Sequence, residues 1–128
     1  MKSKIAGIVF ILGSLYYLVA EAISAFSFND TLVSTYLFHT ISELGIPNIN
    51  SPLSFLMNSA FIIIGLTFIF CNFYKFKDFI IKNKAVFYIL TLIAAIGVII
   101  VALIHAGNPV TDGYHSLGAI MAILGGNL

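Results

Sequence analysis

The fold is decided by residues 75–105, KFKDFIIKNKAVFYILTLIAAIGVIIVALIH, in which four lysines precede a long run without charge. The uncharged run covers residues 85–104 and is followed directly by His105. About 20 apolar residues form a helix long enough to cross a membrane. In lipid, a helix also satisfies all the backbone hydrogen bonds of a single segment. The stretch therefore predicts a transmembrane helix with lysines at one end and a histidine at the other.

The same separation of charges is found along the whole chain. The positive charges are Lys2, Lys4, Lys75, Lys77, Lys82 and Lys84. The histidines and four of the five acids fall at the opposite ends of the apolar runs: His39, His105, His115, Glu21, Asp30, Glu43 and Asp112. Lysines concentrate on the cytoplasmic side of membrane proteins. We therefore predict a multi-pass cell-membrane protein with a cytoplasmic N-terminus and with loops 27–51 and 106–113 on the non-cytoplasmic side.

The composition excludes an ordinary soluble domain. Of the 128 residues, 60% are hydrophobic and only 9% are charged, and the mean hydropathy is +1.07. A soluble domain carries about 25% charged residues. The net charge is +1, and the lysines are accounted for by membrane orientation, so no nucleic-acid partner is expected. The expected partners are the lipid bilayer, a lipid substrate and further copies of the chain.

The apolar runs predict an all-α fold, a polytopic transmembrane helical bundle that forms one domain. Four spans are expected, at about 5–26, 52–73, 85–105 and 114–128. The fourth run has only about 15 residues, which is short for a span. This favours a fragment of a longer protein, and the alternative is a bilayer that thins around the last helix.

Two further features leave alternatives open. The basic start, the apolar run and Ala20-Glu21-Ala22 are also typical of a cleaved signal peptide, although the apolar run continues past this site.

Cys71 is the single cysteine, so no disulfide can form within the chain. Near the end of a span it could be lipidated, but a buried structural thiol is the more frequent role.

The loop between the first two spans predicts an amphipathic helix over residues 30–44. Its apolar residues recur at helical spacing: Leu32, Val33, Tyr36, Leu37, Ile41 and Leu44. Asn29 or Asp30 offers an N-cap, and Gly45 offers a stop. A helix of this kind lies in the membrane interface.

The polar edge of this helix begins the candidate functional site. His39 and Glu43 are four residues apart and therefore adjacent on one helical face. A rise of 1.5 Å per residue along the spans brings further polar residues to the same outer boundary. The candidate catalytic residues are Glu43 and His115 as the core pair, with His39, Ser42 and Asp112, and the candidate binding residues are Glu21 and Asn58. Glu21 is included because an acid within a span usually has a partner or lies on a pathway.

Three histidines at one boundary could also bind a divalent metal, with zinc as the expected ion. The candidate ligands are His39, His105 and His115. An open coordination position would activate a water at neutral pH, and without a metal the same groups could act as general acid and base. The chain contains no HExxH, GxSxG or Walker-type sequence. Structural roles are the alternative: each histidine could bond a headgroup or a loop carbonyl, and Glu43 could brace the interfacial helix.

Several of these residues also carry a family resemblance. The chain resembles the bacterial and archaeal membrane family called domain of unknown function 998 in the run His39-Thr40-Ile41-Ser42-Glu43-Leu44-Gly45, in Ser51-Pro52-Leu53, in Leu56-Met57-Asn58 and Gly65, and in His115 with Gly118-Ala119. Members commonly have H-x-I-S-D-L-G, S-P, L-M-N and H-x-x-G-A in this order. This chain has Glu43 where aspartate is usual, which extends the carboxylate by one methylene. Members tend to be six-span proteins, which implies that this chain is the N-terminal part of a longer one.

A more remote likeness is to the eukaryotic DRAM and Frag-type membrane proteins. They have an S-D-x-G loop after the first span and a histidine with glycine at the start of a later one. Some are linked to lipid remodelling, so the likeness implies a lipid-facing role by analogy.

Three functions follow as hypotheses. The first is an integral membrane protein of unknown biochemical activity, an accessory protein with a polar histidine and carboxylate cluster at the non-cytoplasmic interface. The second is a membrane-embedded lipid-active or metal-dependent hydrolase. The third is a small transporter or channel subunit in which Glu21 and Asn58 line a polar path.

Overall fold

The computed structural model describes residues 2–47, 50–76 and 82–127, and the regular elements in these ranges are all helical. The elements are α1 (Lys2–Ser27), α2 (Leu32–Phe38), a 3₁₀ helix (Ile41–Gly45), α3 (Ser54–Cys71), a π-helical turn (Asn72–Phe76), α4 (Lys84–Leu103) and α5 (Asp112–Asn127). The predicted all-α fold is therefore confirmed.

Within the residues that the structure describes, three helices are long and apolar enough to cross a membrane. They cover Lys4–Ser27, Ser54–Tyr74 and Lys84–Leu103. These helices correspond to the first three predicted spans. Helix α5 has 16 residues and is not one of the three.

The four long helices pack in chain order as an up-and-down bundle, α1 on α3, α3 on α4 and α4 on α5. The buried Cys71, at the end of α3, donates its S–H to the Ala6 carbonyl near the start of α1, with 3.4 Å between Sγ and O. Near the other end of α1, the Ser24 hydroxyl donates to the Leu53 carbonyl at 3.5 Å. Helices α1 and α3 are therefore antiparallel, and Cys71 has a structural position.

Alternating helix directions give the bundle two different ends. The lysine end contains the start of α1, the end of α3, the start of α4 and the end of α5, with Lys4, Lys82 and Lys84. The histidine end contains the opposite helix ends and the connections between them, with His39, His105 and His115.

Small residues set the closest helix contacts. A Cβ on Gly97 of α4 would lie 2.5 Å from the carbonyl oxygen of Gly118 in α5. A Cβ on Gly65 of α3 would lie 3.0 Å from the Ala95 carbonyl oxygen in α4. Ala95 and Ala102 are themselves buried. These contacts agree with the use of small residues where membrane helices approach one another closely.

The buried apolar core lies towards the histidine end, and the outside of the bundle is apolar too. The core cluster consists of Ala25, Phe28, Leu44, Met57, Phe61, Val101 and Ala102. Exposed large apolar side chains include Ile11, Leu18, Leu66, Ile89, Leu103 and Ile123. An outer surface of this composition suits contact with lipid chains.

The loop after α1 does not form the single helix predicted over residues 30–44. Helix α2 ends at Phe38, and His39 and Thr40 are extended before the 3₁₀ helix begins. The Thr40 backbone N–H donates to the Glu43 side chain at 3.1 Å, which completes a capping box. This box starts a new helix, although the apolar periodicity continues across the break.

The start of α2 also differs from the prediction. Its N-cap is Thr31, whose side chain accepts a hydrogen bond from the Ser34 backbone N–H at 3.1 Å. The sequence predicts Asn29 or Asp30 as the cap. Threonine is a good N-cap because its hydroxyl can accept from a free first-turn N–H.

Helix α3 begins at Ser54 rather than at residue 52. The buried Ser51 donates its hydroxyl to the Leu44 carbonyl, and its own carbonyl accepts from the Ser54 N–H at 3.2 Å. Ser51 therefore connects the 3₁₀ helix to the start of α3, which positions the polar groups described next.

Candidate functional site

A histidine between two carboxylates lies at the histidine end. His39 Nδ1 is 2.7 Å from Glu43 Oε2, and His39 Nε2 is 3.6 Å from Asp30 Oδ2. The Phe28 ring packs against the imidazole, with 4.9 Å between the ring centroids. We call Asp30, His39 and Glu43 the acid–histidine cluster. The predicted contact between His39 and Glu43 is present, but through the capping box rather than along one continuous helix.

Backbone and hydroxyl donors hold both carboxylates in place. Asp30 accepts from the Thr31 N–H at 2.7 Å and from the Ser34 hydroxyl at 2.6 Å. Glu43 Oε1 accepts from the N–H and the hydroxyl of Thr40, each at 3.1 Å. Hydrogen bonds to a carboxylate favour its ionised form.

These contacts stabilise the charged forms of the three side chains, and the pKa values change accordingly. The hydrogen bond to Glu43 raises the pKa of the His39 imidazole, and Asp30 adds to the effect. The hydrogen bond from Ser34 is the main cause that lowers the pKa of Asp30. Burial alone would raise the pKa of Glu43, but the hydrogen bonds from His39 and Thr40 outweigh burial and lower it.

The contacts of the His39 ring suit an electrostatic brace better than a catalytic base. Both ring nitrogens face carboxylates, Nδ1 towards Glu43 and Nε2 towards Asp30, so neither is aimed at a nucleophile. The hydroxyl of Ser42, a predicted catalytic residue, lies 3.0 Å from the Thr40 hydroxyl rather than on His39. The cluster therefore fastens the end of α2 to the 3₁₀ helix.

A second polar group lies where α3, the end of α4 and the 3₁₀ helix meet. The Asn58 side-chain amide donates to the Gly45 carbonyl at 2.7 Å and to His105 Nε2 at 3.0 Å. Because Nε2 accepts, the proton of the neutral His105 ring is on Nδ1. Asn58 Oδ1 is buried and has no partner among the described residues. A Cβ on Gly45 would collide with that oxygen, so glycine is required for this close approach.

An open cavity of about 500 Å³ adjoins His105. Its lining combines polar residues, His105, Asn108 and Thr111, with the apolar Pro47 and Leu103. We call it the His105 cavity. A concave site with a few polar groups on an apolar lining is typical of small-molecule binding.

His115 and Asp112, both predicted catalytic residues, fix the turn between α4 and α5. The buried His115 donates from Nδ1 to the Ile104 carbonyl at 2.6 Å. Asp112 Oδ1 accepts from the Gly107 N–H at 3.0 Å, and Gly107 has a φ of +84°, which glycine adopts readily. Each residue therefore has a structural partner in the turn.

Glu21, a predicted binding residue, lies beside two tyrosines. Its charge acts on Tyr17 and Tyr36. Burial is the main cause that raises the pKa of Tyr36, and the charge of Glu21 adds to it. The partners of Glu21 are therefore different from those of Asn58, the other predicted binding residue.

The three histidines do not form the metal site considered from the sequence. Their partners are Glu43 for His39, Asn58 for His105 and the Ile104 carbonyl for His115. In the part of the chain that the structure describes, no group of three His, Cys, Asp or Glu side chains is arranged to hold a metal ion. The predicted core pair, Glu43 and His115, likewise has separate partners. Counting the helical rise gives a common depth for these residues, but it does not give their lateral positions.

Some residues of the site were missed by sequence reasoning. Thr40 and Glu43 form a T-x-x-E capping box, a local signal that could have identified the break in the predicted helix. The sequence predicts Asp30 as an N-cap, whereas its position beside His39 follows from the fold of the loop. The sequence predicts Gly45 as a helix stop, and no sequence signal indicates its contact with Asn58.

Comparisons of the chain with protein-family models, with curated proteins and with solved structures each found no match. What the chain does must therefore be inferred from its own geometry. The acid–histidine cluster and the His105 cavity are the two polar arrangements at the histidine end that such an inference can use.

Proposed function

We propose that this chain is an integral membrane protein that binds the polar headgroup region of a lipid in the His105 cavity. The observation that carries the proposal is the hydrogen bond from Asn58 to His105 Nε2, which leaves Nδ1–H as a donor on a residue that lines an open cavity. Nδ1 has no partner among the described residues. A donor next to apolar surface suits the phosphate or ester oxygens of a lipid.

Exposed apolar side chains at the same end support a lipid as the ligand. Val33, Leu37 and Phe38 of α2 are 68%, 69% and 78% exposed. Side chains of this kind on a short helix beside membrane-length helices favour a position in the interface. A lipid headgroup would then be present at the depth of the His105 cavity.

The proposal includes an orientation in the cell membrane. The N-terminus is cytoplasmic, loops 27–51 and 106–113 are non-cytoplasmic, and α5 is a fourth, short span. The lysines at one end of the bundle support this orientation. Membership in the family called domain of unknown function 998, suggested by the run from His39 to Gly45, is consistent with it.

The binding proposal can be tested with ¹⁵N-histidine NMR in micelles. The chain has three histidines, so His→Gln variants assign every signal. Titration with a short-chain phosphatidylcholine is expected to shift the Nδ1 signal of His105. The Nδ1 signal of His115 is the internal control because the Ile104 carbonyl already accepts from that atom. Equal shifts at all three histidines, or no shift at His105 under saturating lipid, would contradict the proposal.

A pair of variants provides a second test. His105→Phe removes the donor and keeps a ring, and is expected to weaken binding of the short-chain lipid about tenfold, as for a hydrogen bond to a charged group. His39→Phe is the matched control and should bind as the wild type does. Unchanged affinity of His105→Phe would exclude His105 as the ligand-binding donor.

A lipid-active hydrolase is the second candidate. The 2.7 Å contact between His39 and Glu43 favours it, since such pairs perform acid–base catalysis. We rank it second because His39 Nε2 lies towards Asp30 rather than a nucleophile. Turnover of a fluorogenic phospholipid that is lost in both His39→Gln and Glu43→Gln would support the hydrolase. Turnover that is absent, or unchanged in these variants, would reject it.

A further inference from the structure

A second cavity of about 500 Å³ lies at the lysine end of the bundle. Its walls include Phe10 of α1, Phe68 of α3, and Val86 and Leu90 of α4, and Lys82 is also part of its lining. We call it the lysine-end cleft. It combines a long apolar wall with one cationic residue.

The α4 residues of the cleft form one continuous helical stripe. They are Val86, Phe87, Leu90, Thr91 and Ala94, at successive spacings of one, three, one and three, and Asn83, which precedes α4, also lines the cleft. At 1.5 Å per residue, the distance along the axis from Val86 to Ala94 is about 12 Å. The hydrocarbon core of a bilayer is about 30 Å thick. The stripe therefore covers most of the depth of one lipid leaflet.

Two glycines of α5 shape the cleft from the opposite side. A Cβ on Gly125 would lie 2.6 Å from the Leu90 carbonyl oxygen and 2.7 Å from the Ala94 nitrogen. A Cβ on Gly126 would meet no other atom within 4 Å. Gly125 therefore allows α5 to pack directly on α4, whereas Gly126 leaves space in the lining.

The charge at this end favours an anionic ligand. Lys82 lines the cleft, and the exposed Lys84 is close to it in the chain but is not part of the lining. Residues 75–84 contain four lysines and a single acid. Each lysine near a membrane surface contributes attraction to anionic lipids.

We propose that the lysine-end cleft binds one anionic phospholipid. The phosphate lies at Lys82, and one acyl chain runs along the α4 stripe towards Ala94. The apolar wall accounts for binding of the acyl chain, and Lys82 accounts for the preference for a negative headgroup. This site is at the opposite end of the bundle from the His105 cavity, so either site can fail without the other.

Tryptophan reporters test the position of the lipid, because the natural chain has no tryptophan. Phe87→Trp places a reporter in the cleft. Ile89→Trp is the matched control on the same helix, at a position that is 57% exposed and outside the lining. In nanodiscs, brominated phosphatidylglycerol is expected to quench Phe87→Trp in a saturable way and more strongly than brominated phosphatidylcholine. Ile89→Trp should be quenched equally by both lipids.

Charge variants test the contact with the headgroup. In the Phe87→Trp background, Lys82→Gln is expected to weaken the phosphatidylglycerol effect about tenfold, as for the loss of a direct hydrogen bond to a charged group. Lys84→Gln makes the same charge change two residues away and should weaken it by less than about twofold. Equal effects of the two substitutions would indicate general surface attraction and overturn the proposal.

Native mass spectrometry of protein without tryptophan gives an independent count of bound lipid. One phosphatidylglycerol per chain is expected to be retained by the wild type and lost in Gly126→Leu, which fills the cleft. Gly7→Leu is the control, since a Cβ at Gly7 also meets no atom within 4 Å. Equal retention of phosphatidylcholine, displacement of the lipid by inorganic phosphate alone, or quenching of Phe87→Trp by neither lipid would each overturn the proposal.

Discussion

The two ends of this bundle differ in the surroundings of their polar groups. At the lysine end, Lys4, Lys82 and Lys84 are exposed, and the space between the helices is mainly apolar. At the histidine end, each histidine has a hydrogen-bond partner, and the polar groups lie among the helices and loops. Lysines that orient a chain in a membrane are solvated by water, whereas polar groups close to the core require hydrogen-bond partners to offset the cost of burial. The lysine end also contains a buried polar group, Asn72, whose amide donates to the Tyr88 carbonyl at 3.3 Å. The difference between the ends therefore lies in these lysines, which are exposed, and in the histidines, which are paired.

The largest effect is expected at the α4–α5 contact, which fixes the two ends relative to each other. Gly97→Ala would place its Cβ 2.5 Å from the Gly118 carbonyl oxygen, a backbone atom that can move only with its helix. We expect the free energy of unfolding to fall by about 3 kcal/mol, as for overpacking of a core. Gly7→Ala, in open space, is the control and should cause no loss. Equal unfolding curves for the two variants in micelles would contradict this close approach.

A smaller but local effect is expected at the histidine end. Asn58→Leu leaves the Gly45 carbonyl and His105 without their donor and should lower the free energy of unfolding by about 2 kcal/mol. Asn127→Leu, which removes an exposed amide near the end of α5, should change it by less than about 0.5 kcal/mol. Denaturant unfolding measures both. Similar losses for the two variants would remove the distinction between the ends.

A side-chain hydrogen bond between α1 and α3 lies inside the bundle, between its two ends. The Tyr16 hydroxyl is 2.7 Å from the Ser59 hydroxyl, which itself donates to the Leu56 carbonyl. Tyr16→Phe should lower the free energy of unfolding by about 0.6 kcal/mol, a typical value for such bonds in membranes. The control is Tyr74→Phe at the lysine end, where the aromatic stacking is retained and no loss is expected. A larger loss in the control would contradict the prediction.

The smallest effect on global stability is expected from the half-buried acid–histidine cluster, and it depends on pH. The pKa of His39 is raised above 6.5, so its contribution is complete below pH 6.5 and is lost as the pH rises through the raised value. The pKa values of Asp30 and Glu43 are lowered from 3.8 and 4.5, so their contributions are complete above those values and are lost as the pH falls through the lowered ones. The connection between α2 and the 3₁₀ helix should be firmest between about pH 4.5 and 6.5.

NMR titration of the His39 ring measures this effect directly. Glu43→Gln should lower the pKa of His39 towards 6.5, because it removes the main cause of the upward shift. Asp112→Asn, which changes a carboxylate bonded in a different turn, should leave it unchanged. Amide exchange in the 3₁₀ helix should slow within the pH window given above. A pKa of His39 that is insensitive to Glu43→Gln would show that the 2.7 Å contact is not maintained in solution.

The membrane-length helices were predicted from the sequence, whereas the break in the predicted loop helix and the contacts between distant residues were not. The spans follow from apolar length, which a single segment expresses without any partner. The extended residues between α2 and the 3₁₀ helix were missed because apolar periodicity predicts the buried face and not the capping box at Thr40 and Glu43. The contact of His39 with Glu43 was predicted by spacing, whereas that of His39 with Asp30 requires the chain to fold back.

The sequence by itself determined an all-helical chain, the membrane length of the first three of its four predicted spans, and the separation of lysines from histidines, because length, apolarity and charge are properties of each segment. Only the tertiary structure decided which polar residues meet. It paired His105 with Asn58, His39 with Glu43 and His115 with a backbone carbonyl, and so separated the residues that a common depth had grouped. The physical reason is that helical rise fixes the position along the membrane normal, whereas lateral position is set by side-chain packing between helices, here by glycines such as Gly97 and Gly125.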